Sequence, residues 1–403
     1  MIASKHRVPF ILATIFIDAM GFGLVMPVLP QLLMHIGGLD LSHAINVGSW
    51  MGLCMALATF FAAPVIGNLS DRFGRRPMLL AALGLLAIDY LVMAAASSLA
   101  LLFVSRTLSG GFGGSYGAAQ AALADSTKPE DRARTFGYVS AAFGVGFVVG
   151  PAIGGLLGSL GDRAPFIAAA ALAGTNFVYG LTVFPETLPP ERCRAFAWSR
   201  ANPLGALKAA RAVTGMTAAA GVLVLWQIAS LVYPLTWSFY TIAAFGWSSQ
   251  MIGASLAIVG CVIAASQTLL TGPMVKRFGE RDAATIGLIA ATAAFLVYAF
   301  ARTTWMAFVP MLGIAIQSLV QPSLMAMLSR RATPETQGEV QGIAAMAMGV
   351  GSVAAPLILT QPLAWFTASD APVYFPGAAF IVAATFALLA LVRLRGLPRV
   401  VPG

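Results

Sequence analysis

Residues Gly67 to Leu80 read GNLSDRFGRRPMLL, and residues Gly272 to Arg281 read GPMVKRFGER. The two stretches lie 205 residues apart, and the offset holds well beyond them. It places Gly67 on Gly272, Arg72-Phe73-Gly74 on Arg277-Phe278-Gly279, and Pro129-Glu130 on Pro334-Glu335. Further along, Gly137, Gly144, Gly146 and Pro151 fall on Gly342, Gly349, Gly351 and Pro356. Chance would not keep one offset across so many glycines and prolines. The chain therefore reads as two halves related by a parallel repeat.

Composition says what each half contains. Of the 403 residues, 59% are hydrophobic and 10% charged, whereas an ordinary soluble chain is about a quarter charged. A soluble fold of this size could not hide so much apolar surface, so lipid is part of its solvent. Crossing the bilayer takes about 20 apolar residues, and long apolar runs that cross lipid are helices. Twelve such segments are found, roughly at 9–34, 47–69, 77–96, 99–124, 135–158, 164–184, 216–243, 250–272, 283–301, 304–327, 338–361 and 373–394. The expected fold is an all-α membrane protein with twelve transmembrane helices in two pseudo-symmetric six-helix bundles. The N-terminal bundle would occupy 1–184, a cytoplasmic linker 185–215 and the C-terminal bundle 216–403. Lys5 and Arg7 precede the first apolar run as in a signal peptide, but the run is long and no small-residue cleavage site follows it, so it reads as a retained first span.

A net charge of +9 raises nucleic acid as a partner. Position decides against it. All Lys and Arg except Arg106, Arg163 and Arg302 lie at the termini or in alternate loops on one face. That asymmetry is the positive-inside rule, and it makes the basic face cytoplasmic; an even number of spans puts both termini there too. The linker carries Arg192, Arg194, Arg200, Lys208 and Arg211, in keeping with that side. The basic face would also attract anionic membrane lipids. Cys54, Cys193 and Cys261 are scattered and fit no metal-site spacing, so no metal is expected. No phosphate-cradling Gly-Lys-Ser loop and no nucleophile–base pair is present, which argues against an ATPase or another enzyme. No cofactor is expected, and the chain is expected to be a monomer.

Three charges fall deep inside the spans: Asp18 in IFIDAMGFGLVMPVLP (Ile15 to Pro30), Asp89 in the third span and Arg106 in the fourth. At about 1.5 Å per residue, Asp18 lies about 14 Å from the cytoplasmic end, Asp89 about 18 Å and Arg106 about 20 Å. All three occupy one central layer. Each costs at least about 2.5 kcal/mol unless paired or wetted, so function is the default reading. Two acids and one base leave one acid without a fixed partner. Such an acid can take a proton on one side of the membrane and lose it on the other as its surroundings change. Asp18 is the expected carrier with Arg106 as its modulator, and Asp89 is the second candidate. The alternative is a structural ion pair between Asp18 and Arg106. The second half has no deep acid or histidine. It offers Gln227 and Gln317 near mid-depth, with Trp226, Tyr233 and Trp237 beside them, as substrate contacts for a flat amphipathic molecule. The alternative there is hydrogen bonding between helices and anchoring at the membrane interface. His35 and His43 read as exposed.

Several motifs resemble a known family. GNLSDRFGRRPMLL meets every fixed position of the signature loop of the major facilitator superfamily, G-x-L-x-D-R-x-G-R-R, through Gly67, Leu69, Asp71, Arg72, Gly74, Arg75 and Arg76. The glycines allow close helix approach and a tight turn. Asp71 can accept from a helix N-terminus or an arginine, a charge-assisted link that would latch the halves on the cytoplasmic side. The alternative is that the arginines only set topology. In the second copy Lys276 replaces the acid and Glu280 an arginine.

GVGFVVGPAIGG, Gly144 to Gly155, resembles the antiporter motif of the drug/proton branch through Gly146, Gly150, Pro151, Gly154 and Gly155. Repeated small residues also permit ordinary tight helix packing. LLFVSRTLSGGFGG, with Arg106, resembles the superfamily's buried-arginine motif, and DAMGFGLVMPVLP and residues 124–155 are similar to the tetracycline-efflux group. That group usually places a His in helix eight and an Asp in helix nine, where this chain has Ile263 and Ala291. The resemblance implies proton-coupled efflux of small organic molecules, with protons and substrate as partners. An uptake symporter for a metabolite or siderophore is the main alternative, and a receptor that kept the fold is another.

Overall fold

The computed structural model describes residues 7–112, 115–127, 131–198, 216–331 and 336–397. Lys5, Pro129, Glu130, Pro334, Glu335 and the expected linker from residue 199 on, with Arg200, Lys208 and Arg211, lie outside them. Among the described residues the regular structure is helical and contains no strand.

Among the described residues, sixteen α-helices carry the twelve expected segments. Span one is α1 (Arg7–Val25) and α2 (Leu29–Gly37). Span two is α3 (Leu41–Phe73), and span three is α4 (Arg75–Ala95). Span four is α5 (Leu99–Phe112) and α6 (Ser115–Ser126). Spans five and six are α7 (Arg132–Gly158) and α8 (Ala164–Val183). In the second half, span seven is α9 (Met216–Ser230) and α10 (Val232–Phe245). Span eight is α11 (Ser249–Leu269), and span nine is α12 (Thr271–Ala299). Span ten is α13 (Thr304–Gln317) and α14 (Val320–Ser329), span eleven α15 (Gln337–Thr367) and span twelve α16 (Ala378–Gly396). Eleven of the segments are long and apolar enough to cross a bilayer, and α5 is a shorter apolar helix.

Helices α5 and α6 flank residues outside the described ones; the other three segments given as two helices are broken within the described residues, and proline explains each. A proline cannot donate to the carbonyl four residues back, and its ring clashes with it. Pro30 stands four residues after Met26, Pro234 after Ser230 and Pro322 after Ser318, and the helices part at those carbonyls. The repeat offset carries Met26 onto Leu231, the residue between α9 and α10. It also carries Gly74 onto Gly279. Both glycines have positive φ, 99° and 78°: Gly74 divides α3 from α4, and Gly279 kinks α12 between its first turns and the rest of span nine. Span twelve begins at Ala378 rather than 373, because Pro376 and Gly377 hold the preceding apolar residues Val373 and Tyr374 in an exposed loop.

The residues group into two compact units. The first holds Met1–Leu39, Cys54–Asn202 and Trp247–Gly260; the second holds Asp40–Leu53, Pro203–Gly246 and Cys261–Gly403. The opening turns of span eight thus belong with the first unit, and those of span two with the second. The core of the first unit joins Phe10, Ile11 and Ile15 of α1 to Leu79 and Leu83 of α4, Ala119 and Leu123 of α6, Val139 of α7 and Phe184. In the second unit an aromatic cluster of Tyr233, Trp237, Tyr240, Tyr298 and Phe380 joins α10, α12 and α16. Apolar side chains also point outward, such as Leu312 at 73%, Leu91 at 56% and Val104 at 55% exposure. A surface this apolar suits contact with lipid tails.

Candidate functional site

The deep charges all lie in the first unit. Asp89 is 5% exposed on α4. Arg106 Nη2 on α5 donates to its Oδ2, and Ser105 Oγ donates to its Oδ1. Arg106 therefore has a fixed carboxylate partner in Asp89. The Arg106 guanidinium also lies 6.0 Å from the centre of the Tyr90 ring. Asp18 lies half-buried on α1, between the turns of the helix that meet α7.

What fixes that stretch of α1 is the glycine motif. A side chain at Gly146 would stand 2.5 Å from the Phe16 carbonyl, and one at Gly150 would stand 2.5 Å from the Met20 carbonyl. Gly154 meets the Leu24 carbonyl in the same way, and Pro151 packs on Gly23. Glycines spaced by four on α7 thus match carbonyls spaced by four on α1, and the two helices run parallel in backbone contact. Gly155 points elsewhere, to the Ser249 carbonyl and Gly253 at the start of α11. Pseudo-symmetric Pro356 meets Ser49 of α3, whose Oγ donates to its carbonyl at 3.1 Å, and Thr360 Oγ1 donates to Ser49 Oγ at 2.5 Å.

The loop between spans two and three is a charge network. Arg75 Nη1 lies 2.8 Å from Asp71, Arg75 Nε donates to Asp125 at the end of α6 at 3.1 Å, and Nη1 donates to Ser70 Oγ at 3.0 Å. The carboxylate of Glu186, just after α8, accepts the backbone N–H groups of Arg75 at 2.8 Å and Arg76 at 3.1 Å. An acid at the first turn of α4 meets the positive end of its dipole. Gly74 lets it in, since a β-carbon there would run into that carboxylate. Arg76 reaches the Leu181 carbonyl at 2.9 Å, and Arg72 lies over the Phe73 ring at 5.0 Å. Nothing lies within 4 Å of a β-carbon at Gly67. Asn68 Nδ2 donates to the Ala197 carbonyl at 2.6 Å, and Arg194 N–H to the Asp71 carbonyl at 3.0 Å, so residues after span six dock on the end of α3.

Asp125 and Glu186 were not singled out in the sequence. For Asp125 the repeat held the signal. Glu280 stands where the first copy has Arg75, and it pairs with Arg330 at 2.7 Å, which stands where the first copy has Asp125. The same bridge recurs in both halves with its charges exchanged. Nearby, burial first and the Arg281 charge second pull Arg331 below the ordinary arginine value.

The second unit's polar candidates are partnered with one another. Tyr233 Oη donates to Gln317 Oε1 at 3.2 Å, and Gln227 Nε2 to Ser352 Oγ at 3.3 Å. Gln317 is 6% exposed and Trp237 1%, deep in the aromatic cluster. Tyr233 and Gln227 keep more exposure than Trp237. His35 and His43 are exposed, as expected, and each meets an acid, Asp162 and Asp40 respectively. The His43 backbone N–H, and after it the His43 ring, hold the Asp40 carboxyl below its ordinary value at the start of α3. Among the described residues no cluster of three metal-binding side chains occurs.

The family model described as Major Facilitator Superfamily matches residues 11–356 and, in a second match, 229–403. The chain is 41% identical to the tetracycline resistance protein, class C, of Escherichia coli over 395 residues, 97% of each chain. It is 37% identical to the class G protein of Vibrio anguillarum, covering 85% of this chain and 87% of that one. The solved structure of nucleoside transporter NupG shares the fold at a TM-score of 0.75 and 14% identity, covering 96% and 98%.

Proposed function

The chain belongs to the Major Facilitator Superfamily, and from that premise we propose that it exports small, flat, amphipathic organic molecules from the cytoplasm in exchange for protons. It is a multi-pass membrane transporter related to drug-resistance proteins. The finer reading concerns the energy source and the cargo. The observation that carries it is the composition of the central layer, where two acids share one base and that base has a fixed partner in Asp89. Asp18, the one acid in the apolar run of α1, is in this reading the charge that changes. Its helix is held against α7 by the glycine ladder, so a change at Asp18 is felt by a rigid pair of helices rather than by a loose one.

Alternating access would reorient the two bundles around a central site, as in other members of this fold. Protonation of Asp18 would favour one facing and deprotonation the other. The proton gradient then drives the cycle. On the cytoplasmic side, the Asp71–Arg75–Asp125 network and its charge-exchanged counterpart at Glu280 and Arg330 would latch the closed state. Gln227, Gln317 and Tyr233 would supply neutral hydrogen bonds to cargo. Tetracycline is the first cargo to test, since the relatives are named for resistance to it. Ile263 and Ala291 leave that wall of the second unit without charge, which favours a broader range of amphipathic cargo.

The test is accumulation of tetracycline and ethidium in a bacterial host stripped of its own pumps. Expression of the chain is expected to lower the steady level of at least one of them, and a protonophore is expected to restore it. Unchanged accumulation of both compounds, with the protein present in the membrane, would contradict the export reading.

A further inference from the structure

The charged layer contains a fourth polar group, Tyr90, next to Asp89 on α4. It is 4% exposed. Its ring faces Arg106, with the guanidinium carbon 6.0 Å from the ring centre, inside the range of cation–π attraction. Its hydroxyl goes the other way, to α1. There it occupies the place of the missing side chain of Gly21, 2.7 Å from where a β-carbon would stand. A helical β-carbon leans toward the N-terminus, so that place lies over the turn preceding Gly21. That turn contains Asp18. Gly21 is thus the residue whose lack of a side chain admits a phenol to the face of α1 that carries the acid.

We propose that Tyr90 is a positioning residue for proton coupling: in the facing in which Asp18 is charged its hydroxyl donates to the Asp18 carboxylate, a bond not made in the facing seen here, while its ring face rests on the Arg106 held by Asp89. The inference rests on the reading of Asp18 as the proton carrier. Tyrosine suits the task. A phenol can donate to the charged acid and still remain, as a weak acceptor, when the acid is protonated. The charges acting on the hydroxyl are Arg106, Asp18 and Asp89. Among the described residues, the other elements packed on α1 add no further charge at this level. Helix α7 meets it with Gly146, Gly150 and Pro151. Helix α8 meets it with Asn176, which donates to Thr14 at 3.1 Å, and with Tyr179 against Phe10. The acid of α6, Asp125, is held by Arg75 at the cytoplasmic end. In that facing the hydroxyl would link the one acid on α1 to the ion pair on α4 and α5, and a change of charge at Asp18 would reach Arg106 through a single side chain.

The experiment is an infrared pH titration of the protonated-carboxyl band in the purified full chain in lipid nanodiscs, which needs no cargo. Asp18→Asn identifies the Asp18 band by its loss. In Tyr90→Phe the midpoint of that band is expected to move up by about one pH unit, the worth of one hydrogen bond to a charge. Gly21→Ala keeps the phenol but pushes its hydroxyl away, and the same upward shift is expected. A merely structural tyrosine would leave the midpoint alone. An Asp18 band with the wild-type midpoint in both variants overturns the Tyr90 role while leaving the carrier reading intact. Should Tyr90→Phe not fold, Gly21→Ala decides alone. If Asp18→Asn removes no titrating band, the carrier reading itself fails, and the Tyr90 role with it.

Discussion

Replacing Gly74 by alanine is expected to cost the fold more than the same change at Gly279, and the difference isolates one side chain. Both glycines hold nearly the same backbone, φ 99° and ψ 163° at Gly74 against φ 78° and ψ 165° at Gly279. Forcing a β-carbon into that region costs about 1–3 kcal/mol at either position. Only at Gly74 does it also strike a neighbour, the Glu186 carboxylate, whereas nothing lies within 4 Å at Gly279. Displacing Glu186 gives up its two bonds to the Arg75 and Arg76 N–H groups, at 2.8 and 3.1 Å. A charge-assisted bond nets about 1.5–3 kcal/mol, but these are solvent-exposed, so about 1–2 kcal/mol for the pair is the fitting figure. Gly74→Ala should therefore destabilise by about 1–2 kcal/mol more than Gly279→Ala. The assay is reversible unfolding of both purified variants in mixed micelles with increasing sodium dodecyl sulfate. Equal destabilisation would refute the role assigned to Glu186 as the cap of α4.

Three further outcomes are expected. Gly150→Ala should push α7 off α1 and destabilise by about 1–3 kcal/mol, whereas Gly144→Ala, with open space around it, should be neutral or slightly stabilising in the same unfolding assay. Arg75→Asp and Asp125→Arg should each impair export of whichever compound the wild type moves, and the double variant should recover part of it, because the second copy already uses the exchanged polarity at Glu280 and Arg330. Asp89→Asn leaves Arg106 buried beside a neutral group and should cost about 3–5 kcal/mol, while Asp89→Asn combined with Arg106→Gln should cost less than that single change; a double variant worse than the single one would remove Asp89 as Arg106's partner.

Much of the architecture was readable because it is written in periodic and symmetric terms. Apolar length marked the helices, and one offset marked the repeat. The same offset holds for backbone features that no hydropathy count sees, the positive-φ turn at Gly74 and Gly279 among them. The helix breaks were missed although their cause is local. Pro30, Pro234 and Pro322 sit inside apolar runs, and hydropathy weighs a proline by polarity and not by its missing N–H. The site was less legible for a different reason. That Arg106 meets Asp89 depends on how α4 packs on α5, which spacing along either helix does not encode. Glu186 reaches the α4 terminus from more than a hundred residues away. Trp237 reads as an amphipathic contact by type, yet the aromatic cluster of α10, α12 and α16 buries it. Asp125 alone left a trace, as the counterpart of Arg330 once Glu280 is seen to replace Arg75.

The decisive measurement is tetracycline or ethidium transport by Asp18→Asn in proteoliposomes, with and without an imposed pH gradient. The variant is expected to lose gradient-driven accumulation while still exchanging cargo down its own concentration gradient at a rate near that of the wild type. Full gradient-driven accumulation by Asp18→Asn would show that the coupling proton rides elsewhere.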